Sequence, residues 1–263
     1  VSINSANLVQ NGNFSELGSE QVTNGDFETD SDWTLGTGWE ISNGKANSIN
    51  TLGFELSQPA NYVTGKTYKI TYTISDYVSG SIRVYYGGTG AGIERSANGT
   101  YTEYIAASGS QTLYVRSTTA FTGSIDNVSV KQVDPNDNWT LFNGATITDD
   151  KANIIGDGSA FGYIEQTNTF TIGKKYKVTL DAIINSGGGL IVKYNTLFAS
   201  NIGSITTSGS YVFYYTASIS GSILIGRSTG GVAYNSSVTN ISVIEIQENG
   251  VPRLDYTNGT ASI

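Results

Sequence analysis

The side chains best able to do chemistry in this chain are carboxylates, phenols and guanidinium groups, and their spacing assigns them different work. Residues 22–28 read Val-Thr-Asn-Gly-Asp-Phe-Glu and residues 125–130 read Ile-Asp-Asn-Val-Ser-Val, which places Asp26 and Glu28 on an opening strand and Asp126 on a closing one. If those strands bracket one sandwich, their oxygens could share a cation. A second group follows from alternation. With Ile82, Val84, Leu113 and Val115 pointing inward, Arg83, Tyr85, Tyr114 and Arg116 emerge together on the opposite sheet face. Tyrosine beside arginine suits a sugar, which stacks a C–H face on a ring and offers hydroxyls to polar groups. The same residues also suit a plain solvated face, because tyrosine favours strands.

Other chemistry is poorly provided for. With His 0 and Cys 0, Ser-His-Asp and Cys-His catalysis, imidazole metal sites, thiolate chemistry and disulfides are all excluded. Glu55, Glu94, Glu103 and Glu165 could supply the two carboxylates of a glycosidase, but no spacing singles out a pair. The glycine-rich stretch 87–92 lacks the Gly-Lys-Ser/Thr ending and the following helix of a phosphate loop, and reads as a hairpin tip, as does 187–189. The expectation is a chain without catalytic residues.

The elements that must position these groups are strands. In 263 residues there are 32 Gly and 17 Tyr with only 14% charged residues, so solubility comes from hydroxyls and amides, and tight turns are plentiful. Residues 68–74 place Tyr68, Ile70, Tyr72 and Ile74 on one face and Lys and Thr on the other. No run of about 18 apolar residues, the length of a membrane helix, is present. A net charge of −8 argues against a nucleic-acid surface. The absence of Met and of a basic-then-apolar leader suggests a segment of a longer or processed polypeptide.

The chain is written twice. Trp33-Thr34-Leu35 returns as Trp139-Thr140-Leu141, Gly65-Lys66-Thr67-Tyr68-Lys69 as Gly173-Lys174-Lys175-Tyr176-Lys177, Arg116-Ser117-Thr118 as Arg227-Ser228-Thr229, and Asn127-Val128-Ser129-Val130 as Asn240-Ile241-Ser242-Val243. The pattern predicts an all-β protein of two tandem antiparallel β-sandwiches of jelly-roll type, over residues 20–133 and 134–248. Residues 249–263 read as an extended linker. Residues 8–14 (Leu-Val-Gln-Asn-Gly-Asn-Phe) repeat the opening motif with no room for a domain behind it, so 1–19 reads as an arm or the stub of an upstream unit. In the second copy Lys193 matches Tyr85, Ile225 matches Tyr114 and Thr239 matches Asp126, so neither candidate site is duplicated. Trp33, Trp39 and Trp139 read as plugs of the core or sandwich edge.

Asn24-Gly25-Asp26-Phe27-Glu28, Trp33, Trp39 and residues 125–130 together resemble the carbohydrate-binding-module-like, galactose-binding-type jelly rolls. The likeness covers about residues 20–133 well and 134–247 in part. Residues 23–27, 30–34 and 252–260 also resemble structural proteins of tailed bacteriophages, whose head and tail fibres carry such modules; secreted bacterial hydrolases and adhesins carry them too. The first resemblance implies a structural calcium in the first unit only, with side-chain oxygens from Glu28 and Asp126 and a backbone or side-chain oxygen from Asp26. Calcium takes six to eight oxygens, so these residues form an incomplete shell. The second implies a place on the virion surface, other virion proteins as partners, a homotrimer, and attachment to host-surface glycans. The alternative is an extracellular, secreted carbohydrate-binding segment of a bacterial hydrolase or adhesin.

Overall fold

The computed structural model describes residues 6–88, 91–109, 112–195, 201–228 and 230–246. The sequence expectation for the stretch 249–263 lies outside the described residues. The fold is all-β, as the period-two alternation predicts, and the described residues contain no helix long and apolar enough to cross a membrane.

The chain divides into two compact units, and one is nested within the sequence of the other. Glu16–Asn136 forms the inserted unit. Val1–Ser15 joins Asp137–Ile263 in the split unit. Residues 6–15, expected as an arm or an upstream stub, therefore supply the opening segment of the second sandwich. Leu8 N donates to Val243 O (2.8 Å) and Ile241 N donates to Gly12 O (2.9 Å). The inserted unit repeats the arrangement with its own opening segment, where Val128 N donates to Gly25 O (2.8 Å). Insertion costs little because the unit's entry and exit are neighbours: Leu17 pairs with Val133, and Asp134 N donates to Glu16 O (3.1 Å).

The inserted unit contains β1 (Leu17–Glu20), β2 (Thr34–Leu35), β3 (Trp39–Ser42), β4 (Lys45–Thr51), β5 (Glu55–Pro59), β6 (Thr67–Tyr86), β7 (Gly99–Ala106) and β8 (Thr112–Val133). The long β6 and β8 run antiparallel along each other and serve both layers. Their 67–75 and 124–133 halves lie with β7, β4 and β1, and their 82–86 and 113–117 halves lie with β5. Tyr68, Ile70, Tyr72 and Ile74 point into the core with Ile82, Val84, Leu113 and Val115, all buried. Gly80 makes the bend in β6, where a Cβ would meet Ala120 O at 2.2 Å.

The split unit contains β9 (Thr140–Phe142), β10 (Thr146–Thr148), β11 (Lys151–Gly156), β12 (Tyr163–Phe170), β13 (Lys175–Ser186), β14 (Leu190–Tyr194), β15 (Asn201–Ile205), β16 (Gly209–Thr216), β17 (Gly221–Arg227) and β18 (Tyr234–Glu245). They form two five-stranded sheets, ordered β10-β11-β18-β13-β16 and β15-β14-β17-β12-β9.

The opening segments explain why the motif Asn-Gly-x-Phe is needed twice. Asn11 and Phe14, like Asn24 and Phe27, are left-handed, with φ of 46°, 57°, 51° and 51°. A bulky residue there costs on the order of 1–3 kcal/mol, offset by burying each phenyl ring against a tryptophan. Phe14 lies 5.2 Å from Trp139 and Phe27 lies 5.1 Å from Trp33, and each indole Nε1 donates to the carbonyl of Asn11 or Asn24. All three tryptophans are buried, as read from the sequence. The intervening glycine cannot carry a side chain: a Cβ on Gly12 would stand 2.1 Å from Ile241 O, and one on Gly25 would stand 2.0 Å from Val128 O.

Candidate functional site

Strand register fixes which residues of the two units correspond. Gln58 grips the opening segment through Thr23 N and Thr23 O, and Gln166 grips Gln10 N and Gln10 O in the same way. Counting outward, Ser57 corresponds to Glu165, and Tyr114, opposite Ser57, corresponds to Leu224, opposite Glu165. The sequence match of Tyr114 to Ile225 is therefore one residue out, whereas Tyr85 does correspond to Lys193. The same slip separates the two arginines of the repeated Arg-Ser-Thr. Arg116 corresponds to Gly226, and Arg227 to Ser117.

The structure gathers Arg83, Tyr85, Tyr114 and Arg116 on one outer face of the inserted unit. Two rows cross the strands. One runs Ser57, Tyr114, Tyr85, Ala91, and the other places Glu55, Arg116 and Arg83 side by side. The tyrosine rings stack on each other, 4.8 Å apart and 16° from parallel. Arg116 lies 5.6 Å from the Tyr114 ring and pairs with Glu55, while Arg83 pairs with Glu94 at 3.3 Å. The Nε atoms of both arginines are buried without a partner. Glu55 and Glu94, considered in the sequence only as possible acids, thus belong to the same charged row. Beside it, Thr34, Leu35, Gly36, Gly53, Phe54, Glu55 and Ser57 line a shallow depression of about 270 Å³.

The acidic bracket divides differently. Among the described residues no three acidic side chains come together as a metal-binding group, and Asp26 and Glu28 are exposed. Asp126 accepts a hydrogen bond from Asn127 N (2.6 Å). The corresponding place in the other unit is closed by a hydroxyl. There, Thr239 Oγ1 donates to Asp150 O (2.9 Å) and stands 3.4 Å from Asn13 O. The corresponding carbonyls in the inserted unit are those of Gly44 and Asp26, and a Cβ on Gly44 would lie 4.0 Å from Asp26 O. At Thr239's position stands Asp126, an acceptor with no proton to share at neutral pH.

Sequence reasoning passed over Glu20, which accepts from Val130 N (2.7 Å), Val22 N (3.1 Å) and Ser129 Oγ (2.6 Å). Asn7 does the same work in the split unit, accepting from Val243 N (2.9 Å) and Val9 N (3.1 Å). Both lie two residues ahead of the opening valine, a signal the sequence does carry. The clefts beside them hold about 360 Å³ and about 400 Å³. Glu20 and Asp26 line the first where Asn7 and Asn13 line the second.

No protein-family model matches the chain. No curated protein matches it either. Among solved structures it is similar to a tandem of family 22 carbohydrate-binding modules from Paenibacillus barcinonensis, with 10% identity over 94% of this chain and 100% of that one and a TM-score of 0.30. It is similar to tandem family 51 modules of a Streptococcus pneumoniae glycoside hydrolase, with 8% identity over 76% and 83% and a TM-score of 0.26. Allantoicase from Saccharomyces cerevisiae shows 12% identity over 92% and 93%, with a TM-score of 0.32.

Proposed function

We propose that this chain is a non-catalytic adhesive module that binds carbohydrate through the outer face of the inserted sandwich. The observation that carries the reading is the stacked pair Tyr85–Tyr114 alongside Arg116 and Arg83 on one outer face. Aromatic rings beside charged and polar side chains suit a saccharide, which presents C–H groups on one side and hydroxyls at its rim. The resemblance of its short motifs to phage appendage proteins supports a place on the exterior of a virion as a homotrimer, with host-surface glycans as targets. The alternative is a secreted bacterial binding segment, where the same face would do the same work.

A calcium ion in the inserted unit forms part of this proposal. Asp126 would hold it with the carbonyls of Asp26 and Gly44, and it would fasten the closing strand to the opening segment.

Binding to a panel of immobilised oligosaccharides tests the reading. The double variant Tyr85→Ala, Tyr114→Ala should lose affinity for any retained glycan by about tenfold or more, the loss typical of central aromatic contacts. Glycan binding indifferent to both tyrosines, or no binding by the intact protein, would sink it.

A further inference from the structure

Two cations stand directly opposite each other on the outer face of the inserted unit, where strand pairing does not need them. Arg83 on β6 faces Arg116 on β8. Like charges placed opposite on neighbouring strands destabilise the pair. The split unit builds the same pairing without charge, with Ile191 and Gly226 at the places of Arg83 and Arg116. The two arginines therefore contribute something other than the fold.

Each guanidinium is tethered from its own side. β5 borders β8 on the flank away from β6, and residues 91–95 border β6 on the flank away from β8. Arg116 Nη2 donates to Glu55 on β5, and Arg83 Nη2 donates to Glu94 in the 91–95 segment. The charges thus run acid, base, base, acid across the face, positive at the middle.

The outer acids do not saturate the inner bases. Glu94 commits Oε1 to the Ser81 hydroxyl at 2.5 Å, and Oε2 meets Arg83 at 3.3 Å. That is long for a charge-assisted hydrogen bond, which runs to about 2.7–2.9 Å. Glu94 is held below the ordinary carboxylate range first by the Ser81 hydroxyl and then by that of Thr118, with the charge of Arg83 a lesser cause. Among the described residues Nη1 of neither arginine has a partner, and the two side chains are 36% and 44% exposed. Their Nε atoms are enclosed, so the end a ligand can reach is Nη1.

The tyrosines stand one alternation step away on the same face. Tyr85 follows Arg83 by two residues, Tyr114 precedes Arg116 by two, and Tyr85 faces Tyr114 as Arg83 faces Arg116. Two residues along a strand span about 6.6 Å, the reach of a pyranose ring with its exocyclic carboxyl group. Arg116 links the two rows, its guanidinium carbon 5.6 Å from the Tyr114 ring and 6.0 Å from the Tyr85 ring.

We infer that the ligand of this face is an acidic saccharide, a uronate whose carboxylate bridges Arg83 and Arg116 while its ring lies along the Tyr85–Tyr114 row. The inference rests on the carbohydrate reading proposed above and adds the charge of the ligand. A carboxylate offers one oxygen to each Nη1 and relieves the repulsion between the arginines, a gain that a neutral sugar does not supply.

Calorimetric titration of the whole chain with trigalacturonate and with its methyl ester tests it, since esterification removes the charge and keeps the rings. Trigalacturonate should bind at least tenfold tighter than the ester. Raising salt from about 50 to about 200 mM should weaken the acid severalfold and leave the ester unmoved. Sodium acetate at equal concentration should not displace trigalacturonate, which separates a saccharide site from a bare anion site. Arg83→Gln combined with Arg116→Gln should bring acid and ester to equal affinity. Glu55→Gln removes a competing acid and should strengthen trigalacturonate binding severalfold, a gain that misfolding does not produce. Ester as tight as acid, with both lost in Tyr85→Ala, Tyr114→Ala, would overturn the acidic preference and leave the carbohydrate reading standing. Binding of neither ligand would overturn this inference, and the oligosaccharide panel would then decide the wider reading. Undiminished trigalacturonate binding by the folded double-glutamine variant would overturn it as well.

Discussion

The two sandwiches meet the same close approach with different chemistry. In the inserted unit a Cβ on Gly92 would stand 1.5 Å from Glu103 Oε2; in the split unit a Cβ on Gly203 would stand 2.2 Å from Phe213 Cε1. Glu103 and Phe213 occupy the same register position, opposite Ile70 and Val178. Phe213 simply packs, beside Tyr211 and under β15. Glu103 is 5% exposed and accepts from Tyr72 Oη (2.9 Å), Arg95 Nε (3.2 Å) and Ile93 N (2.9 Å). Burial first, and then the Glu103 charge, push the Tyr72 hydroxyl far above its ordinary range, so it stays a donor. Where the split unit has the strand β15, the inserted unit has two isolated bridges, Ile82 to Arg95 and Tyr85 to Ala91, and a carboxylate that takes up the loose amide between them. An apolar plug tolerates change in proportion to volume lost. A polar one holds only while every member is present.

The sharpest way to break the comparison is at the two glycines of the opening segments. Gly12→Val and Gly25→Val each drive a side chain into a carbonyl of the closing strand and should cost more than about 4 kcal/mol. Gly12→Val should erase hydrogen-exchange protection across 137–246 and spare 16–136, although residue 12 immediately precedes the latter in sequence. Gly25→Val should do the reverse. Loss of both units from Gly12→Val, or of the adjacent one alone, would refute the nested arrangement.

Next in size is the buried carboxylate. Glu103→Ala strands Tyr72 Oη, Arg95 and the Ile93 amide together and should cost about 3–5 kcal/mol in urea unfolding. Glu103→Gln turns an amide donor toward Ile93 N and should cost about 1–3 kcal/mol. At the matching position Phe213→Leu should cost less than about 1.5 kcal/mol, as hydrophobic swaps of similar volume do. Equal losses from Glu103→Gln and Phe213→Leu would erase the distinction between the two plugs.

Much of this was legible in the chain and the rest was hidden for physical reasons. The inward run Tyr68, Ile70, Tyr72, Ile74 could be read directly, because strand alternation is local. The doubled Asn-Gly-x-Phe was visible, but its assignment was not. Thr239 meets Asn13 across 226 positions of sequence, and nothing local says which closing strand an opening segment will find. Glu103 read only as one of four possible acids because a buried acid has the same spelling as an exposed one; only its partners, gathered from β6 and from residues 93–95, make it a core residue. Arg116 and Arg227 share their Arg-Ser-Thr wording and differ by one step of register. One step moves a side chain to the other face of a sheet, so the repeat that identified the duplication misplaced both the partner of Tyr114 and that of Arg116.

The cation proposal sharpens the comparison at Asp126 and Thr239. Adding calcium at about a hundred times its dissociation constant should stabilise the inserted unit by about 2.7 kcal/mol. The split unit, where the Thr239 hydroxyl already bridges the two carbonyls, should be unmoved. Asp126→Thr should import that hydroxyl and make the inserted unit indifferent to both calcium and chelator. Calcium stabilisation that survives Asp126→Thr would remove Asp126 from the site.

The smallest expected effect lies across the same strand pair, where the acid has changed sides. Thr73 faces Asp126 in the inserted unit, and Asp181 faces Thr239 in the split unit. Asp181 is held below the ordinary carboxylate range by hydrogen bonds from the Asn240 amide and then the Ser210 hydroxyl. Thr73, sharing a 3.0 Å contact with the Thr100 hydroxyl, has no charge to lose. A depressed carboxylate contributes stability that is fully present above its unfolded value, about 3.9, and is lost as pH falls through the lower folded value. As pH falls below about 4, the split unit should therefore lose up to about 1 kcal/mol through Asp181, the ceiling for a solvent-screened group. Asp181→Asn should flatten that part of its pH profile while leaving the inserted unit's profile unchanged. Denaturation followed through exchange of each unit separately makes the measurement, and an Asp181→Asn profile that still falls as the parent's does would assign the acid loss to other carboxylates.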